Sequence, residues 1–486
     1  MFSQFEKLQH FNNFQEVQNY LDKLGLFHMD LSLARMTKLL NRLFPKGVPF
    51  KVVQVVGTNG KGSTAHFISS LATAHAHKNG LYTSPHFVSM RERVRINGKM
   101  LPEQEWTLCA NIVANAQSPN ESEKLTYFEF ITALALLAFA RAEIELAILE
   151  AGLGGEYDAT SAVPADLLLI TPISLDHQNV LGQDILDIAA NKAGAMKPGQ
   201  IIITSEQQPE VLALLKTKAN ALGNSLLKPV RPTPPTCTEQ GNEQGNEQGN
   251  KQGNKQANGS RTEKTTGCAV AGLETTQNSS CASSQRSNAA PLRMRGVQQS
   301  DNSRLALAGF SRLAKKLGWP LRAPAIKRGL GAAFIPGRMQ FIPALFNRPP
   351  LLLDGAHNQH SFEILRYNLK KLKICPIAII FSCLSDKNMD EAFALFSEWS
   401  YNNPKSNIFI PPLPENPRAA NPEELAARIG AHAKPTASMT EALRLAQQVA
   451  MPANASNLEK HPILICGSLY LLAEFFKLHP GYLEFK

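Results

Sequence analysis

Apolar positions along this chain change period at about residue 50. Before it they recur at helical spacing, which predicts helices over Phe14 to Leu24 and Leu31 to Leu43. From Lys51 onward, short aliphatic runs alternate with helical stretches. Val52-Val-Gln-Val-Val56, Leu146-Ala-Ile-Leu149, Leu167-Leu-Leu-Ile170 and Ile201-Ile-Ile-Thr204 read as buried strands. Ala65 to Ala76, Phe130 to Ala142 and Ile185 to Met196 read as helices among them. Continuous apolar strands separated by helices predict a mostly parallel sheet covered on both faces. After helices at Leu305–Leu317 and Pro324–Ala333 a second series follows, at Leu351–Leu353, Ile377–Phe381, Ile408–Ile410 and Ile463–Ile465.

The pattern fails from about Arg231 to Ser303. Glu239-Gln-Gly-Asn242 is followed there by four near-copies and then by a Ser/Thr/Asn-rich tract. So little apolar surface cannot offset the entropy of ordering, and 231–303 is expected to be a largely disordered low-complexity insertion; stacked polar repeats are the alternative. At 486 residues the chain exceeds one ordinary core. The expected architecture is α/β, with an N-terminal phosphate-loop ATPase-like domain over 1–333. A smaller, Rossmann-like C-terminal α/β domain covers 334–486, the boundary falling near Phe334, just before Pro336-Gly-Arg338.

Composition narrows the class. Hydrophobic residues make up 43% and charged residues 19%, a globular balance. No run of about eighteen apolar residues occurs, and the first residues lack a basic-then-apolar signal, so a cytoplasmic protein without a membrane partner is expected. Seven cysteines without a CxxC pair suit free thiols rather than a zinc site or a disulfide frame. The net charge of +10 admits nucleic-acid binding, but no basic run or basic-aromatic cluster accompanies it. It is read as a surface excess biased toward anionic small molecules, and no nucleic-acid partner is expected.

The candidate chemistry begins where the first strand ends. Gly57-Thr-Asn-Gly-Lys-Gly-Ser-Thr64 combines glycines for a tight turn, a lysine and two hydroxyls at the start of a helix, the requirements of a phosphate cradle. Gly62 departs from the strict pattern, in which Ser or Thr follows the lysine. Thr83-Ser-Pro-His86 offers a metal or phosphate ligand in Ser84, or is a plain turn. Glu150 ends a strand before Gly152, Gly154 and Gly155, where open α/β sheets bind ligands and where a hard oxygen would suit Mg²⁺; a solvated strand-end carboxylate is the alternative. Asp176 and His177 close a third strand, and the pairing favours His177 as a metal or phosphate contact over a structural histidine. Periodicity alone gives Lys192 no special role. Arg338, and Asp354-Gly-Ala-His-Asn358 after a strand, could face a ligand from the opposite side or form a tight turn.

Together these segments resemble the folylpolyglutamate synthase and dihydrofolate synthase family of the Mur ligase superfamily, in particular its bifunctional bacterial type. The resemblance spans the chain apart from Arg231–Ala290. It rests on the phosphate loop, Thr83–His86, Thr126-Tyr-Phe-Glu129, Leu149–Thr160, Asp176-His177, Lys192-Ala-Gly194, Pro336-Gly-Arg338, Asp354–Asn358 and Cys466-Gly-Ser-Leu-Tyr470, in order and spacing. Met29-Asp-Leu-Ser-Leu-Ala-Arg35 is similar to a segment near the family's pteroate pocket.

The resemblance implies an ATP-dependent amide ligase. The acceptor carboxylate is phosphorylated, and the glutamate amine displaces phosphate from the acyl phosphate. By motif match, Gly57, Thr58, Asn59, Gly60, Lys61, Gly62, Ser63 and Thr64 would hold ATP together with Asn302, Arg338 and Asp354. Ser84, Glu150, His177 and Lys192 would ligate Mg²⁺, Lys192 falling where the family carries a carbamylated lysine. Lys61, His177, Lys192, Asp354 and His357 would serve catalysis, and Asp30 and Phe128 the pteroate pocket. The implied substrates are dihydropteroate, reduced folates and L-glutamate, handled by a monomer.

Three departures leave alternatives open. The family's Gly-Gly-Arg-Leu-Asp-Ala-Thr-Asn appears as Gly154-Gly-Glu-Tyr-Asp-Ala-Thr-Ser161, so Glu156 reverses a charge and Ser161 shortens an amide. Gln298-Gln299 stands where His-Gln is common. A synthase with one of the two activities, or a weakened nucleotide-binding paralogue, are the alternatives to a bifunctional ligase.

Overall fold

The computed structural model describes Phe2, Leu8 and residues 10–25, 32–117, 124–229, 292–345, 348–387, 389–402, 407–414, 416–450 and 458–484. Asp30 and most of the polar tract lie outside the described residues. The described residues belong to one compact unit, drawn from 1–229 and 290–486.

The strands are β1 Lys51–Val56, β2 Asn79–Tyr82, β3 Val94–Ile96, β4 Lys99–Met100, β5 Leu146–Glu150, β6 Leu167–Ile170, β7 Ile201–Thr204, β8 Leu226–Leu227, β9 Gln340–Ile342, β10 Leu351–Asp354, β11 Ala378–Phe381, β12 Ile408–Ile410, β13 Ala433–Pro435 and β14 Ile463–Cys466. They form an eight-stranded sheet ordered β4-β3-β2-β5-β1-β6-β7-β8 and a six-stranded sheet ordered β13-β12-β11-β14-β10-β9. The first is parallel from β2 to β8, with β3 and β4 added antiparallel at one edge. The second is parallel except for β9. Two mostly parallel sheets in an α/β frame match the expectation.

Burial explains the continuous apolar strands. On one face of the first sheet, Val52, Ala147 and Leu149 pack with residues of the helices Phe14–Leu24, Ala34–Leu43, Glu103–Ala116 and Tyr127–Arg141. Further along the same face, Val56, Leu168 and Ile170 meet the helices Ile185–Ala193 and Pro209–Ala221, while the opposite face is covered by the helices Lys61–Ala74 and Val297–Leu317, where Gly309 approaches Leu167 and Leu169. The second sheet is likewise covered on both faces. Among the described residues, no helix is long and apolar enough to cross a membrane.

Several boundaries differ from the expectation. The helix after β1 starts at Lys61, four residues before Ala65, because Gly60 in the left-handed region caps it directly. The helix expected from Leu305 already begins at Val297 and runs to Leu317, so residues 297–303 are helical, not part of a disordered insertion. Its first turns are polar, and Gln299, Asn302 and Ser303 occupy buried positions where apolar residues would have signalled a helix. Short β3, β4, β8, β9 and β13 carry too few residues for a legible period.

The sheet order positions the site. Strands β2, β5, β1 and β6 are neighbours, with Tyr82 opposite Leu149, Val55 opposite Glu150 and Val56 opposite Ile170. Parallel strands end on one edge, so segments starting at 57, 83, 151 and 171 leave the sheet side by side.

Candidate active site

The loop after β1 is a preformed anion cradle. Gly57 and Gly60 take φ of +141° and +91°, a region that disfavours side chains. Gly60 caps the helix Lys61–Ala74 without a capping side chain, which leaves first-turn N–H groups for a ligand. The loop is tied down from β6: the Thr58 N–H donates to the Pro172 carbonyl at 3.0 Å, and the Thr58 hydroxyl donates to the Ser174 carbonyl at 3.0 Å. Lys61 Nζ donates to the Gly57 and Thr58 carbonyls at 3.1 and 3.0 Å. Burial pulls its ammonium below the usual lysine range, against the attraction of Glu150 and Asp176.

Glu150 and Ser84 meet beside this loop. The Ser84 N–H donates to Glu150 Oε2 at 3.1 Å, and burial raises the Glu150 carboxyl above its ordinary value. A Cβ on Gly62 would lie 3.2 Å from Glu150 Oε2, so the departure after Lys61 leaves room for that carboxylate. Lys192 is buried, and its Nζ donates to the Gly57 carbonyl at 2.9 Å. Burial, followed by the charge of Lys61, brings its ammonium down to about 7. The His177 side chain is half-exposed at the rim, with Nε2 3.9 Å from Asp176 Oδ2.

No group of three or more His, Cys, Asp or Glu that could hold a metal occurs among the described residues. One buried carboxylate beside a phosphate cradle nevertheless fits Mg²⁺, which is commonly held by one or two carboxylates plus substrate phosphates and water.

The second sheet closes the opposite side. Asp354 at the end of β10 accepts from the Met339 and Ala356 N–H groups at 2.9 and 3.0 Å, fastening the turn that carries Arg338. Burial raises the Asp354 carboxyl, against the pull of Arg338. His357 Nδ1 lies 2.8 Å from the Gly355 carbonyl, and burial lowers its imidazolium to about 4, so the ring is neutral near pH 7. Asn302 packs on Gly60, where a Cβ would fall 2.6 Å from its Oδ1. A cavity of about 520 Å³ joins the two sides, lined among others by Lys61, Glu150, Lys192, Asn302, Arg338 and His357.

Residues 337–469 match the glutamate ligase domain of Mur ligases. The dihydrofolate synthase/folylpolyglutamate synthase of Bacillus subtilis (strain 168) is 31% identical over 382 residues, which cover 78% of this chain and 81% of that protein. The chain belongs to the dihydrofolate synthase/folylpolyglutamate synthase family. Solved relatives agree over nearly full length. E. coli FolC in complex with DHPP and ADP is 27% identical with a TM-score of 0.73, covering 98% of this chain and 99% of that one. The bifunctional folylpolyglutamate synthase/dihydrofolate synthase from Yersinia pestis, complexed with AMPPNP and Mn ion, is 27% identical with a TM-score of 0.72, covering 97% and 100%.

Most residues that the family resemblance singles out do converge on one cavity: 57–63, Ser84, Phe128, Glu150, His177, Lys192, Asn302, Arg338, Asp354 and His357 line it. Thr64 does not. It sits fully buried within the helix, its N–H bonded to the Gly60 carbonyl at 2.9 Å and its hydroxyl without a hydrogen-bond partner. Asp30 lies outside the described residues; Arg35, later in the same sequence segment, pairs with Glu129 at 3.2 Å and ties the helix Ala34–Leu43 to the helix bearing Phe128. Phe128 packs over Gly152, where a Cβ would lie 2.6 Å from its Cζ.

The two departures in the Gly-Gly segment are explained by position. Glu156 is exposed and absent from the cavity wall, so its reversed charge does not face the cradle. Ser161 is buried, donates to the Gly155 carbonyl and accepts from Gln54 Nε2 at 2.7 Å, holding the turn from below. Cavity residues that sequence reasoning missed include His66, Arg93, Arg95 and Lys387. Arg93 and Arg95 sit in the run Arg91-Glu-Arg-Val-Arg95 after Thr83–His86, a charge cluster that was the available signal. His66 and Lys387 carried none.

Proposed function

We propose that this chain is an ATP-dependent ligase that adds L-glutamate to dihydropteroate and to reduced folates. The observation that carries the reading is a single cavity in which a phosphate cradle and Glu150 from one sheet face Arg338 and His357 from the other. A ligase needs that arrangement, because a carboxylate is a poor electrophile until phosphorylated. ATP supplies the phosphoryl group that makes it one. Catalysis then consists of positioning and charge neutralisation.

Backbone N–H groups of the loop and Lys61 hold the phosphates, with Asn302 beside the loop, and Arg338 and Asp354 from the second sheet, serving the nucleotide. Ser84, Glu150 and His177 hold Mg²⁺. Lys192 joins them as a carbamate: its neutral amine adds CO₂ and releases a proton, which replaces a cation by an oxygen donor. His357 approaches the reacting groups, while Phe128 and Asp30 belong to the pteroate pocket. The enzyme acts as a cytoplasmic monomer, without a nucleic-acid partner, with an N-terminal domain over 1–333 and a C-terminal one over 334–486.

Phosphate release from ATP is the test, measured with glutamate and either dihydropteroate or tetrahydrofolate as acceptor. Acceptor-dependent release with both is expected. No acceptor-dependent release with either would overturn the reading; release with one alone would restrict it to that activity.

A further inference from the structure

Asp176 makes contacts on both sides of the cleft. It belongs to the segment leaving β6, two residues of which hold the phosphate loop. Pro172 accepts from the Thr58 N–H, Ser174 exchanges hydrogen bonds with the Thr58 hydroxyl at 3.0 and 3.1 Å, and the Ser174 hydroxyl accepts from Asn59 Nδ2 at 3.4 Å. Two residues on, Asp176 reaches the second sheet. Its Oδ1 accepts from Lys387 Nζ at 2.8 Å and its Oδ2 from Asn358 Nδ2 at 3.0 Å. The pair is largely shielded, with side-chain exposures of 10% for Asp176 and 17% for Lys387.

Neither partner is an ordinary surface residue. Asn358 caps the helix Gln359–Leu372: its Oδ1 accepts from the Ser361 N–H at 2.9 Å, while its amide nitrogen donates to Asp176. Ser361 Oγ also accepts from the His357 N–H at 3.0 Å, so the cap, His357 and Asp176 form one connected network. Lys387 comes from the loop after β11 and lines the cavity. A shielded ion pair adds little net stability, yet losing one partner strands the other charge, so such a pair suits registry between two parts.

We infer that Lys387 and Asp176 are positioning residues that couple the phosphate loop to the Asp354–Asn358 turn, so that nucleotide on one sheet orders His357 and Arg338 on the other. Nucleotide binding stiffens the 171–177 segment through Thr58 and Asn59, and Asp176 passes that order to Asn358 and Lys387. The inference deepens the ligase reading above and rests on it for its catalytic consequence.

The test uses the full chain, ADP as probe and amide hydrogen exchange over 355–365. Wild type is expected to show exchange slowed about tenfold or more by ADP in this segment. In Lys387→Met that slowing is lost while ADP affinity stays within about threefold, and kcat falls about tenfold at a nearly unchanged KM for ATP. Lys387→Arg, which keeps the charge, restores both. Asn358→Ser retains a helix cap but is too short for Asp176, and it weakens the coupling without melting the helix. The inference is overturned if Lys387→Met keeps wild-type coupling, if it loses ADP affinity in parallel, or if wild type shows no ADP-dependent slowing. The exchange readout needs only ADP binding, so coupling without ligation would refute the ligase reading and leave this inference standing.

Discussion

A Cβ built on Gly57 would lie 1.9 Å from Thr171 Oγ1 and 2.9 Å from the Thr171 carbonyl. No rotamer change relieves the second contact, because it is with backbone. Gly57 also takes φ of +141°, which costs a side-chain-bearing residue about 1–3 kcal/mol. Gly57→Ala is therefore expected to displace the loop, lowering ADP affinity at least about tenfold and destabilising the fold by about 1–3 kcal/mol. Calorimetric ADP titration and thermal melting check both; wild-type affinity would contradict the close approach.

Lys61 donates to two loop carbonyls, yet burial works against its charge. Lys61→Met removes a buried cation and two hydrogen bonds, effects of opposite sign on stability. The melting temperature should move little, while kcat drops by about 10²–10³ as charge stabilisation is lost. A fall in activity matched by unfolding would show instead that Lys61 is structural.

Acid should weaken the fold through His66. Its Nδ1 lies 2.8 Å from the Gly62 carbonyl, an acceptor, which assigns the proton of the neutral ring to Nδ1. Burial lowers the imidazolium from 6.5 to about 4. Between those values the unfolded chain binds a proton that the folded protein refuses, so stability from this site is complete above about pH 6.5 and declines as pH falls toward about 4. His66→Gln should lose that dependence: the stability of wild type relative to the variant falls across this window. Melting curves at several pH values test it, and a constant difference would refute it.

The Glu156 and Ser161 departures should behave differently. Glu156→Arg alters an exposed side chain outside the cavity wall, so kcat/KM should stay within about twofold. Ser161→Ala removes a partner of Gln54 and of the Gly155 carbonyl, at a cost of about 1–2 kcal/mol in stability with little change in turnover. Steady-state kinetics and denaturant melts separate the two outcomes.

Much of the fold was legible because parallel strands buried on both faces are continuous apolar runs. All four strands read in the first series and all four in the second occur, with ends shifted by a residue or so. Misreadings cluster where burial is polar: Gln299, Asn302 and Ser303 form the inner face of a helix's first turns, so hydrophobic spacing shows that helix only from Leu305.

The sequence by itself determined the phosphate loop, the strand-end carboxylate Glu150, and the ordered run of motifs that marks the family, because each lies within a few consecutive residues. Only the tertiary structure decided what these groups face. Crossover connections set β2, β5, β1 and β6 side by side, which no local pattern encodes, and thereby join Ser84 to Glu150. Packing likewise buries the Lys192 amine against Gly57 and brings Lys387 to Asp176 across 211 residues of chain. Burial and electrostatic pairing are properties of neighbours in space, and the chain's order in sequence does not contain them.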